Sequence, residues 1–161
     1  MTTDKKILIA YYSKTGNTER VANDIASRLG ADVEKIIDLK KRTGILGYIL
    51  GGRDAMKHRL TEIAPSQKDP ANYDLVILGT PVWGWNATPA ITSYIDGSRE
   101  KIKNVAFFLT SGGTELEKII PYLEEISGKK PHASAGFNRK ELKDQVVYGQ
   151  KLDKFVAAIK S

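Results

Sequence analysis

Cysteine is absent from this chain of 161 residues. Disulfides, cysteine–zinc sites, iron–sulfur clusters and thiol nucleophiles are therefore excluded. The 2 histidines, His58 and His132, are far apart in sequence and in no metal-ligand spacing, so both read as solvated or locally hydrogen-bonded. No apolar run approaches the roughly 20 residues of a membrane span. The N-terminal residues are polar and pass straight into a strand pattern, without the apolar stretch of a secretory signal, so a cytoplasmic location is expected. There is no G-x-x-x-x-G-K-[ST] run, and no G-x-G-x-x-G follows the first strand, which removes the Walker and dinucleotide fingerprints. Clustered carboxylates are missing after that strand too, which removes a receiver domain. With thiols and metal clusters gone, any redox work must rest on a bound organic cofactor.

Acidic residues are in deficit. Lys and Arg number 25 against 19 Asp and Glu, a formal net charge of +6. The basic residues concentrate in 35–41, 53–59 and 129–143, and each run reads first as a solvated face. Basic residues are not interleaved with aromatics as a nucleic-acid module would need. The charge suits a partner protein with an acidic docking face, or an anionic substrate. The oligomeric state is left open.

The strongest positive signal is Ser13, Lys14, Thr15, Gly16, Asn17 and Thr18, between an apolar strand at 6–12 and a helix at 17–29. A strand that ends in a short hydroxyl- and glycine-bearing turn and opens a helix makes an anion site. The first-turn N–H groups are free and point out of the positive end of the helix dipole. The hydroxyls of Ser13, Thr15 and Thr18 add donors, and Gly16 permits close backbone approach. One hydroxyl would need no reading beyond helix capping. Three in six residues around a glycine favour a phosphate.

Further along, strand and helix patterns alternate to the C-terminus. Strands are expected at 32–39, 75–79, 104–109 and 131–137. Helices are expected from Pro89 to about 97, from a Thr114–Glu117 capping box, and from Asn138, with Glu141 three residues on as its capping partner. Residues 42–72 are irregular: an apolar, glycine-rich stretch at 44–52, a possible helix at 53–60, then a loop. This segment suits a lid, a contact surface or an ordinary packed helix. Such alternation implies one α/β domain over 1–161, a five-stranded parallel sheet in the doubly wound order 2-1-3-4-5 with helices on both faces.

Ser13-x-Thr15-Gly16-Asn17-Thr18 resembles the flavodoxin phosphate loop, [ST]-x-T-G-x-T. Thr80, Pro81, Val82, Trp83, Gly84 and Trp85, continuing to Pro89, resemble the family's second flavin loop, and Thr110, Ser111, Gly112 and Gly113 the third. The three occur in family order at the ends of successive strands. The resemblance implies a short-chain flavodoxin-like fold, FMN as cofactor, and these residues as its site, with no catalytic side chain and no metal. Trp83 and Trp85 would offer flat surfaces to the ring, and Trp83 matches the position of the family's aromatic. Gly84 would let a peptide near the ring reorient. The basic charge departs from the family, many of whose members are strongly acidic.

Two readings of different class follow. One is an electron-transfer protein that passes electrons singly to a partner. The other is an FMN-dependent NAD(P)H oxidoreductase acting on quinones or similar acceptors, although no dedicated nicotinamide motif is present. An FMN-free interaction module is a weaker third, against which the intact phosphate loop argues.

Overall fold

The computed structural model describes residues 4–40, 47, 49–53, 60–113 and 118–161. Strand β1 (Ile7–Tyr11) is buried along its whole length, as a strand covered on both faces must be. Helix α1 (Asn17–Leu29) follows, with Val21, Ala22 and Ile25 facing the sheet and Gly30, at φ 63, ending it. Then come β2 (Asp32–Lys35), a 3₁₀ turn (Pro70–Asn72), β3 (Leu75–Trp83), β4 (Asn86–Ala87) and α2 (Pro89–Ser98). The chain closes with β5 (Val105–Ser111), α3 (Ile120–Ser127), β6 (Pro131–Asn138), α4 (Arg139–Lys143) and α5 (Gln145–Lys160).

The parallel strands run in the order β2-β1-β3-β5-β6, and β4 pairs with β3 off that path. Counting the parallel strands alone, this is the expected doubly wound order 2-1-3-4-5. One apolar cluster lies under α2 and α3 and includes Leu8, Val76, Leu78, Ile91, Tyr94 and Phe107. The other lies under α1 and α5 and includes Ile9, Ile25, Ile77, Phe108, Phe137 and Phe155. The strands thus read as continuous apolar runs because both of their faces are covered.

The structure departs from the sequence reading in three places. The third strand does not stop at Gly79; it continues to Trp83 and folds back through β4 in an antiparallel hairpin, Val82 opposite Ala87 and Trp83 opposite Asn86. The second strand is shorter than expected, and beyond it Asp38 forms an isolated antiparallel bridge with Ile63. Glu34 on this edge strand is nonetheless buried, because its Oε1 accepts the backbone N–H groups of Gln67 and Lys68 and so holds the returning loop. The last helix is broken at Asp144, whose carboxylate accepts from the N–H groups of Val146 and Val147 and starts α5 afresh. The capping box expected at 114–117 and most of the helix expected at 53–60 lie outside the described residues, although residues 49–53 are helical.

The Asn138 capping box is present in full: its side chain accepts from the Glu141 N–H while the Glu141 carboxylate accepts from the Asn138 N–H. Burial would raise the Glu141 carboxyl, but the Lys151 ammonium at 2.7 Å and the Asn138 N–H outweigh it and hold the pKa below the ordinary value. A carboxylate depressed in the folded state contributes stability that is present above its unfolded pKa, about 4.3, and is lost as pH falls through the folded one. Glu141→Gln is therefore expected to flatten the acid limb of the stability curve below about pH 4.3, measured by urea unfolding across pH. An unchanged acid limb would refute it.

Candidate flavin site

The register brings three strand ends together. Tyr11 pairs with Gly79 and Pro81 with Thr110, so the turns after β1, β3 and β5 emerge side by side at the carboxyl edge. This is the edge where doubly wound sheets bind ligands, at the point where strand order reverses.

The turn after β1 is shaped by two bonds and one glycine. The Ser13 Oγ accepts from the Gly16 N–H at 3.1 Å, which curls the chain tightly. Gly16 takes φ 97 and sits at the N-cap of α1, where it has no side chain with which to cap. The α1 N-terminus therefore carries no side-chain cap, and its first-turn N–H groups are left for a ligand. A Cβ built on Gly16 would meet nothing within 4 Å, so the space beside the turn is open. Lys14, Thr15 and Asn17 are exposed around it. Thr18 differs: it is buried, and its hydroxyl shares a 2.8 Å bond with that of Thr110. It ties the first loop to the third.

The one acid in the first turn of α1 is Glu19. A carboxylate here would repel a bound anion. Its Oε1 instead accepts from the Tyr11 hydroxyl at 2.9 Å and lies 3.4 Å from the Lys35 Nζ. These contacts, the Tyr11 bond foremost, hold the Glu19 pKa below its ordinary value. Burial, then Glu19 itself, pushes the Tyr11 phenol well up, so that proton stays in place. The acid is thereby held and partly neutralised.

The second loop is a tight hairpin. Gly84 and Trp85 are its central residues, at φ 51 and φ 68, the paired positive values of a type I′ turn. The Thr80 hydroxyl braces the hairpin's base, bonding the Thr88 hydroxyl at 2.9 Å and accepting the Thr88 N–H at 3.2 Å. Val82 and Trp83 are half-buried. The Trp83 ring meets Tyr12 edge-on at 5.4 Å, with the Lys14 Nζ 5.6 Å from its centre. Trp85 is 73% exposed. In the third loop Thr110 and Ser111 are buried, the Gly113 N–H donates to the Ser111 Oγ at 3.3 Å, and Gly112 and Gly113 are open to solvent.

The residues singled out from sequence thus share one edge. Sequence reasoning did not assign roles to Thr88, Tyr12, Tyr11, Glu19 or Lys35. Thr88 stood inside the second loop's motif, so its signal was present; the others announce themselves only through contacts. A shallow cavity of about 360 Å³ lined by Pro121, Glu124, Gly128 and Lys129 belongs to the opposite, amino edge and to no part of this chemistry.

These features define a doubly wound α/β protein with an uncapped helix-opening turn and a tryptophan hairpin at the switch point of its sheet. The family model described as Flavodoxin matches residues 52–156, and the chain belongs to the flavodoxin family. Its fold is similar to that of a flavoprotein from Lactobacillus acidophilus NCFM solved in complex with FMN, with TM-score 0.75 and 24% identity over 94% of this chain and 98% of that one. A putative flavoprotein from Bacteroides eggerthii gives TM-score 0.73 and 24% identity over 94% and 98%. Oxidised Flavodoxin 2 from Bacillus cereus gives TM-score 0.59 and 21% identity over 95% and 96%. No curated protein sequence matches the chain. Among the described residues no helix is long and apolar enough to cross a membrane.

Proposed function

We propose that this protein binds FMN at the carboxyl edge and works as an electron carrier. The observation that carries the reading is the uncapped N-terminus of α1 beneath Gly16, open on the ligand side and tied to the third loop by the Thr18–Thr110 bond. The donor set fits the group. Backbone N–H groups of the first turn and the exposed Thr15 hydroxyl suit a phosphate. Lys14 adds a positive charge at the same turn, and Trp83, held edge-on by Tyr12, presents a stiff aromatic wall one strand away.

When bound, FMN supplies the electron-carrying ring. The chain's part is to hold and tune it. Gly84, at φ 51, lets the hairpin backbone present either a carbonyl or an N–H toward a ring edge without a side chain in the way. The exposed backbone at Gly112, with no side chain in the way, suits a polar ring edge. Glu19 is bound by Tyr11 and beside Lys35, so the turn's field favours an anion. By its charge of +6, the redox partner presents an acidic face.

The test is direct. FMN at 100 times its dissociation constant should stabilise the fold by about 2.7 kcal/mol, seen as a raised melting temperature with one flavin per chain. Unchanged melting and undiminished free-flavin fluorescence at saturation would refute FMN binding. NADH or NADPH added anaerobically to the loaded protein should leave the flavin absorbance unchanged; rapid bleaching would instead mark an NAD(P)H oxidoreductase.

A further inference from the structure

The helical turn at 49–53 has two unlike faces. Gly51 is buried, and a Cβ built on Gly52 would lie 3.7 Å from the Gly84 backbone nitrogen, so the glycine face rests on the tryptophan hairpin. Ile49 and Arg53, four residues apart, share the other face, and both are exposed, Ile49 at 58%. The next residue along from Gly84, against which Gly52 packs, is Trp85. Among the described residues it is the one non-glycine with positive φ, and it is 73% exposed. Its turn position favours Gly, Asn or Asp. A bulky residue there costs conformational free energy that core packing does not return, and such strain gathers at binding sites. Lys14, over Trp83, adds a second cation at the same edge.

We infer that Trp85 and Ile49, rimmed by Arg53 and Lys14, form the docking face for a partner protein whose own contact surface is apolar at its centre and acidic at its rim. The inference rests on the flavin reading for its purpose, since the face adjoins the proposed ring site, but not for its geometry. Tryptophan and arginine are the residues most enriched at binding hot spots. An apolar centre supplies affinity and the cationic rim speeds encounter. A second copy of this chain fits worse. A two-fold contact would set the rim of Arg53 and Lys14 against a like rim, in a chain already at +6.

The test titrates ¹⁵N-labelled protein, with and without FMN, with two small soluble haem proteins of opposite surface charge. The Trp85 indole N–H and the Ile49 amide should shift with the acidic haem protein and not with the basic one. Ile49→Glu and Arg53→Glu should each weaken that complex by about tenfold at low salt, leaving FMN affinity and melting temperature unchanged. Raising salt to about 0.5 M should weaken it similarly, as the Debye length contracts. Unmoved Trp85 and Ile49 signals, or equal response to both haem proteins, would overturn the docking face. So would a concentration-dependent dimer, seen by light scattering, that Ile49→Glu dissolves. Failure of FMN to bind would show separately in the melting experiment, because the titration reads the flavin-free chain as well.

Discussion

Gly79→Ala is expected to destabilise the protein by about 3 kcal/mol or more. An ideal Cβ on Gly79 would lie 2.0 Å from Phe108 Cζ and 2.4 Å from its Cε1. The two residues are register partners on β3 and β5, and the Phe108 ring is fully buried. The ring fills the space that the glycine leaves, and a packed core gives it no other rotamer cheaply. The damage should reach the site. Gly79 O accepts the Tyr12 N–H at 3.1 Å, and Thr80, the next residue, braces the hairpin. Urea unfolding of Gly79→Ala, Phe108→Leu and the double mutant checks this. The double mutant should recover much of the loss, since contacting residues couple strongly. A loss below about 0.5 kcal/mol, the range of neutral surface changes, would mean that the ring moves freely.

Thr15→Ala and Thr18→Ala are expected to separate cleanly, although they stand three residues apart in one motif. The Thr15 side chain is exposed and has no hydrogen-bond partner among the described residues. Its removal should leave the flavin-free protein as stable as before. It should weaken FMN by about 10- to 150-fold, the loss of a donor to a charged group worth roughly 1.5–3 kcal/mol. Riboflavin, which has no phosphate, should bind as before. The Thr18 hydroxyl is buried against Thr110. Thr18→Ala strands the Thr110 hydroxyl and should cost the fold about 1–3 kcal/mol, with FMN and riboflavin weakened alike. Calorimetric titration of both ligands and melting of both variants give the comparison. Equal ratios of FMN to riboflavin affinity in the two variants would refute the assignment of Thr15 to the phosphate.

Much of this molecule was legible from residue order. Local rules suffice for the helix at Asn17–Leu29 with its glycine stops, for Pro89 as a helix start and for the Asn138–Glu141 box, because each depends on neighbours within a turn. The continuous apolar runs of Ile7–Tyr11 and Val105–Ser111 mark strands buried on both faces, and their alternation with helices leads to the doubly wound order. The three loops of the candidate site follow, since strand ends in such a sheet share one edge.

What residue order left undecided depends on contacts between distant segments. Gly84 and Trp85 give no local hint of a hairpin, because Trp is a poor residue for a positive φ; the β3–β4 pairing places it there. The two tryptophans are near-equivalent in sequence, yet Tyr12 holds one edge-on while the other projects into solvent. Nothing local marks Glu34 for burial until the backbone at Gln67 and Lys68 returns to claim its carboxylate. Thr18 and Thr110, 92 positions apart, are equal members of two hydroxyl-rich loops until they bond to each other. Sequence alone determined the fold and the edge that gathers the three candidate loops, because both follow from periodicity and local turn rules. Which hydroxyl is buried against a partner, which tryptophan meets solvent and which glycine packs under a ring were decided by tertiary packing, since each depends on residues that nothing local brings together.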